Sequence, residues 1–242
     1  MLYSERDAVW LFQAVVPFGW STAHIEVQRS ADRGQSWSEP KPISGPIGAN
    51  VRFPPVRTAA GTLLLPAYDD LLQRSLLFAS VDGDCWTLRS TIETNLTARN
   101  IQPSLTQLGD KRLLAVMRNV GGDWLWATAS EDDGAHWAAP IDSGFPNPSS
   151  PAALLRLASG NLVLVFNDSR NARRPLSIAI SGDEARSWPH RRVLVDGAGA
   201  YSYPAATQTP DGLIHIVYSH DRETIGHLVF NEAWIADGAK AD

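Results

Sequence analysis

Arginine is the residue type whose placement in this chain could do chemistry. Arg52, Arg99, Arg118, Arg170, Arg173, Arg174 and Arg222 fall in or beside segments that read as connections between strands. Asp69, Asp70, Asn100, Gln102, Asn119, Asn147, Asn167, Asp168, Tyr201, Tyr203 and His220 share those segments. A guanidinium grips a planar anion with two parallel hydrogen bonds. Several on one face therefore describe a pocket for a carboxylate or a sulfate. Any one alone would serve as an ordinary solvated loop side chain, so the set carries the reading. The sequence holds no His/Cys cluster at metal-ligand spacing, no phosphate-binding glycine loop and no serine nucleophile elbow. Metalloenzymes, nucleotide binders and serine hydrolases therefore rank low, and no cofactor is called for.

What must position these residues is a repeat. Ser130-Glu131-Asp132-Asp133-Gly134-Ala135-His136-Trp137 reads Ser-x-Asp-x-Gly-x-x-Trp, and Ser30 to Trp37 is a second full copy. Ser181 to Trp188 keeps Ser, Asp and Trp but has Ala185 in place of the glycine, and Ser80 to Trp86 is one residue short. The serines sit at 30, 80, 130 and 181, a period of about fifty. The motif makes sense as a hairpin turn. Its Asp accepts backbone N–H groups further along the turn, its Gly supplies a positive φ, and its Trp can fill the space between neighbouring units. Ala60-Gly61, Gly109-Asp110, Ser159-Gly160 and Asp211-Gly212 form a second turn series with the same period. Two interleaved series in strand-rich sequence predict propeller blades.

Taken in order, residues 1–45 read as a blade with its start cut off. Residues 46–95, 98–143 and 147–195 read as whole blades, and 200–235 as most of a fifth. The predicted fold is all-β, with four-stranded antiparallel blades. No helix is needed, and residues 233–242 read as a polar tail. Met1–Tyr3 or the tail could close the ring as five blades. Strand direction alternates within a blade. The inter-blade loops, the starts of first strands and the loops between second and third strands therefore share one face, and the Ser-x-Asp turns lie on the other. The arginine set falls on the first face.

Bulk properties narrow the partners. The 242 residues suit one domain, with 19% charged and 44% hydrophobic residues. A formal charge of −5 argues against nucleic acid. The single cysteine, Cys85, excludes an intrachain disulfide and reads as a turn filler. Glu5, Arg6 and Asp7 interrupt anything like a signal peptide, and no stretch reaches membrane-spanning length. If the N-terminus is authentic, the expected compartment is the cytoplasm.

The eight-residue turn is the Asp box, and the chain resembles the sialidase (neuraminidase)-like Asp-box, or BNR-repeat, β-propeller family over nearly its whole length. Ile101-Gln102-Pro103-Ser104, Asn147-Pro148-Ser149-Ser150 and Ser202-Tyr203-Pro204-Ala205 carry the resemblance further. So does Ala200-Tyr201-Ser202-Tyr203-Pro204 followed by the hairpin from Thr209 to Tyr218. The resemblance implies six blades, of which about five are visible here, the first being absent. It implies three arginines on a sugar carboxylate, a Tyr nucleophile paired with a Glu, and an Asp as acid/base. A neutral phenol avoids repulsion with an anionic substrate. Carried onto this sequence, the nucleophile falls on Tyr201, with Tyr203 as the second choice. Arg118, closing the second strand of the third blade, matches one arginine, and Arg173 matches another by its spacing to the next Asp box. Asn167 and Tyr203 join them as expected substrate contacts.

Two departures stand out. The Glu that would assist the nucleophile is Gln102, which can hydrogen-bond a phenol but cannot take its proton. The first arginine and the acid Asp belong to the missing blade. Arg52-Phe53-Pro54 resembles the arginine motif locally but follows an Asp box, in another blade, and Asp69 and Asp70 share that displacement. The function implied is an exo-α-sialidase-type glycoside hydrolase acting on an acidic sugar or glycoconjugate, not on nucleic acid or membrane. The alternatives are a glycan-binding propeller without catalysis, an inactive fragment of a longer enzyme, and a glycosidase for another acidic sugar.

Overall fold

The structure, a computed structural model, describes residues 1–5, 7–94 and 99–237. The first blade is β1 (Leu2–Glu5), β2 (Ala8–Val15), β3 (His24–Ser30) and β4 (Lys41–Pro42), with a 3-10 turn at Trp20–Thr22. The second has a first strand split into β5 (Ala49–Val51) and β6 (Val56–Arg57), then β7 (Leu63–Asp69), β8 (Arg74–Ser80) and β9 (Thr87–Ile92). The third is β10 (Asn100–Gln107), β11 (Leu113–Asn119), β12 (Trp124–Ser130) and β13 (Ile141–Pro146). The fourth is β14 (Ala153–Arg156), β15 (Leu162–Asn167), β16 (Leu176–Ser181) and β17 (His190–Val195). The fifth is β18 (Tyr201–Gln208), β19 (Ile214–His220) and β20 (Thr224–Phe230), followed by α1 (Glu232–Ala236). Within each blade, consecutive strands pair antiparallel.

Blades stack face to face, so their inner strands are covered on both sides. This is why β7, β15 and β16 are buried at every position, and why β7 opens on Leu63-Leu64-Leu65 and β15 runs apolar from Leu162 to Phe166 instead of alternating with polar residues. Four apolar clusters result, one in each seam between consecutive blades. Asp-box tryptophans wedge three of the seams. Trp86 meets Phe12 edge-on, with ring centres 5.3 Å apart. The Trp137 indole donates to Ser90 Oγ at 3.2 Å, and Trp188 meets Phe145 edge-on at 5.4 Å.

Both turn series are built as their residue types dictate. In the third Asp box, Asp132 Oδ1 accepts from His136 N at 2.8 Å and from Ser130 Oγ at 2.9 Å, and Ser130 Oγ accepts from Gly134 N at 2.9 Å. In the other series Gly61, Lys111, Gly160 and Gly212 occupy the same left-handed position, with φ between 73° and 93°.

Several details differ from the sequence reading. The first blade has four strands: Leu2–Glu5 pairs with β2, Leu2 lying opposite Leu11. Met1–Tyr3 therefore serves its own blade and does not complete the fifth. The segment read as the start of a polar tail is helical from Glu232 to Ala236. Asn231 caps it by accepting from Trp234 N, and Ile235 is fully buried. The helix packs on the outer strands of the fourth blade, where Arg192 lies 3.9 Å over the Trp234 ring. The rest of the expected tail, residues 238–242, lies outside the described residues. Among the described residues the fifth blade thus has three strands, and no strand of the first blade pairs with it. No described helix is long and apolar enough to cross a membrane.

Candidate functional site

The site grows from a second repeated feature, at the start of each blade. Asn50, Asn100 and Asn147 are buried and tie loop to blade. The Asn100 amide donates to the Ile92 carbonyl and accepts from Ser75 N, each at 3.0 Å. The Asn147 amide donates to the Ser150 carbonyl at 2.6 Å. Two residues beyond each Asn, the chain places a side chain on the ring axis: Arg52, Gln102 and Ser149. In the fifth blade Tyr201 takes the anchor position and Tyr203 the axial one. Gln102, Ser149 and Tyr203 share a left-handed backbone, with φ of 55°, 54° and 56°. For non-glycine residues that conformation costs about 1–3 kcal/mol each and gathers at functional sites. Strand register breaks at the same points, between Ile101 and Ser104 and between Ser202 and Ala205.

Of these, Arg52, Gln102 and Tyr203 line a cavity of about 600 Å³ together with Ala14, Trp20, Asn50, Val51, Tyr68, Asp70, Ile101, Arg118 and Arg222. The Arg118 guanidinium donates to Gln102 Oε1 at 3.2 Å and to Ser149 Oγ at 3.1 and 3.2 Å. Arg173 donates to the Ser149 carbonyl at 3.1 Å and lies 5.4 Å from the Tyr203 ring centre. Its Nη1 is buried without a protein partner, as is Arg52 Nε. Buried donors left open in this way suit an anionic ligand. Arg52 reaches across the axis from the second blade to the fifth, donating to the Tyr203 carbonyl at 2.5 Å and to the Pro204 carbonyl at 3.3 Å.

The charges act on Tyr203. Burial by itself pushes its hydroxyl up. Hydrogen bonding by Arg173 and the charges of Arg173, Arg118 and Arg222 outweigh that, and the net direction is below the ordinary 10.0. Tyr68 goes the other way, raised chiefly by burial, while its hydrogen bond with Gln102 pulls it down. Gln102 thus bridges Arg118 and Tyr68. Burial lowers both Arg52 and Arg118 from the ordinary 12.5.

Of the residues expected from sequence, the cavity brings together Gln102, Arg118 and Tyr203, with Arg173 against Tyr203. Tyr201 lies outside it. It is buried in the seam between the fourth and fifth blades, edge-on to Tyr218, and its hydroxyl donates to the Asp196 carbonyl at 3.2 Å. The reason is local. Residues 201 and 203 would share a strand face, but the left-handed turn at Tyr203 breaks the alternation and swings that side chain alone to the axis. Asn167 is also structural in its contacts, donating to the Tyr201 carbonyl at 2.8 Å. Asp69 accepts from Leu71 N and Leu72 N, whereas Asp70 faces the cavity. Arg99, Arg170 and Arg174 hold Gln73, the Trp124 ring and the Gly197 and Ala198 carbonyls. Arg52, set aside in the sequence reading, lines the cavity, as do Tyr68 and Trp20. The spacing of two from Asn50, Asn100 and Asn147 could have found Arg52 and Ser149. Among the described residues no group of three or more His, Cys, Asp or Glu is placed to hold a metal ion.

A ring of antiparallel blades with an arginine-rich cavity on its axis defines the class, a sialidase-type β-propeller. More particularly, the chain belongs to the BNR repeat-like domain family, which it matches over residues 1–216. It is 29% identical over 140 residues to a sialidase of Micromonospora viridifaciens, covering 53% of this chain and 21% of that protein. It is 21% identical over 238 residues to a sialidase of Bacteroides fragilis strain YCH46, covering 89% of this chain and 42% of that protein. Among solved structures, a Hadza microbial sialidase superposes with a TM-score of 0.80 at 18% identity, covering 94% of this chain and 50% of that one. The chain thus spans half or less of the length of these relatives.

Proposed function

We propose that this propeller belongs to a sialidase-type glycoside hydrolase and that its axial cavity takes a terminal acidic sugar. The observation that carries this reading is that Tyr203 shares the cavity wall with Arg118 and Arg222, with the Arg173 guanidinium 5.4 Å from its ring centre. The arginines would hold the sugar carboxylate. The Tyr203 oxygen, its proton lost to solvent, would attack the anomeric carbon and form a glycosyl–tyrosine bond. The aglycone oxygen would leave with a proton, for which Asp70, the carboxyl group on the cavity wall, is the donor at hand. Water would then release the sugar and return the tyrosine. The test is hydrolysis of a fluorogenic sialoside by the folded chain, alongside Tyr203→Phe and Arg118→Met. Turnover lost in Tyr203→Phe, with a raised KM in Arg118→Met, is the expected result. No turnover in a folded sample removes the enzyme reading for this chain.

A second reading has its own observation. Gln102 stands where a proton acceptor for the tyrosine is expected, and its amide is engaged with Arg118 and Tyr68. Without a base, the same cavity can bind an acidic glycan and leave it intact. Saturable, Arg118-dependent affinity without turnover would favour that reading.

A further inference from the structure

The cavity mouth is chemically two-sided. Arg118, Tyr203 and Arg222 lie on the side of the later blades, and on the opposite side Trp20 forms part of the wall. Around Trp20 the loops of the first two blades carry exposed apolar side chains: Phe18, 94% exposed, Ile47, Leu71 and Leu72, with Trp20 itself 64% exposed. Single exposed apolar residues are ordinary, but a group beside a cavity marks a contact surface. These five sit on three loops that hold one another. Gly48 N donates to the Ala23 carbonyl at 2.9 Å and Asp70 N to the Gly48 carbonyl at 3.0 Å. The Asn50 amide donates to the Trp20 carbonyl at 3.4 Å. Asp69 Oδ1 fixes the loop bearing Leu71 and Leu72 by accepting from both of their N–H groups at 3.0 Å.

We infer that this shelf receives an apolar aglycone, so that the ligand is an acidic sugar joined to a hydrophobic group rather than to a further sugar. The inference rests on the acidic-sugar reading of the cavity. Its argument is continuity and chemistry. Trp20 belongs to cavity and shelf at once, so a group leaving the anomeric position on that side meets the shelf first. Phe18, Ile47, Leu71 and Leu72 have no polar side-chain atom with which to match the hydroxyls of a sugar aglycone. An alkyl chain needs none.

The experiment is calorimetric titration of the whole chain with sulfur-linked sialosides, which resist hydrolysis, bearing methyl, octyl or lactosyl aglycones. The octyl compound is expected to bind at least about tenfold tighter than the methyl one, equivalent to roughly two buried methylene groups. That gain should vanish in Phe18→Ser/Leu71→Ser/Leu72→Ser while affinity for the methyl compound stays the same. These positions are exposed, so the variant should keep the wild-type Tm. Equal affinity for methyl and octyl compounds, or a tighter lactosyl compound, overturns the shelf and leaves the acidic-sugar reading standing. Binding of none of the three overturns both.

Discussion

Tyr203 is held in a left-handed backbone, and burial of its hydroxyl is outweighed by the Arg173 hydrogen bond and the positive charges of Arg173, Arg118 and Arg222, which draw it below the ordinary value. Because its folded value is lowered, a tyrosinate absorbance step should appear below pH 10 in the wild type. That step should disappear in Tyr203→Phe and move upward in Arg118→Met, where one positive charge is lost. If turnover uses the ionised phenol, kcat/KM should rise with pH through the same step. Gln102 offers a complementary test. Gln102→Glu places a proton acceptor beside Arg118, and a positioned general base contributes about 10²–10⁴-fold. A sialoside assay should show Gln102→Glu turning over faster than wild type. A slower variant would mean that the glutamine's bond to Arg118 matters more than proton transfer. Of Tyr201, Gln102, Arg118, Arg173, Asn167 and Tyr203, the residues named from the sequence, Gln102, Arg118 and Tyr203 line the cavity. The sequence ranked Tyr201 above Tyr203 because residue types do not reveal which of two tyrosines on one strand takes the left-handed turn.

Within single elements, the Asp boxes make their own predictions. Hydrogen bonds hold their carboxylates low: Asp32 by the Ser36 hydroxyl first, Asp132 by the His136 N–H first, and Asp183 by the Ser187 hydroxyl first, each from the ordinary 3.8 to about 2. A carboxylate whose folded value lies below its unfolded one stabilises the fold fully above the unfolded value. That contribution is lost as pH falls through the folded value. Tm should therefore hold steady down to about pH 4 and then fall towards about pH 2. Asp132→Asn should lower the plateau and flatten that fall. In the fourth box Glu184 and Ala185 have φ of 62° and 64°, where the third has Asp133 at 59° and Gly134 at 77°. Ala185→Gly should therefore stabilise the chain by about 1 kcal/mol, the relief of left-handed strain outweighing the added freedom of the unfolded chain. A denaturation midpoint that falls would contradict this. These boxes were legible because every residue type in them has a single physical task. The helix at Glu232–Ala236 was not, because its stability comes from Ile235 and Trp234 packing on another blade.

For the molecule as a whole, the blade order was readable from the fifty-residue period, since each blade needs the same turns. Contacts across the axis were not, because no local pattern encodes them. Arg52 donates across 151 residues of sequence to the Tyr203 carbonyl, and also to the Pro204 carbonyl, joining the second blade to the fifth. Arg52→Met should cost about 2 kcal/mol in chemical denaturation, the scale of charge-assisted hydrogen bonds lost from a buried site. It should also lower turnover by loosening Tyr203, whereas a change at Arg99, which holds Gln73, should do neither. The central claim is that Tyr203, rather than Tyr201, faces the reacting sugar. It is tested most directly by incubating the chain with a fluorinated sialosyl fluoride that traps the glycosyl–enzyme bond, then locating the adduct by fragmentation mass spectrometry. An adduct on Tyr203 that is absent in Tyr203→Phe and kept in Tyr201→Phe is the predicted result. An adduct on Tyr201, or none from a folded and saturated sample, would contradict the account.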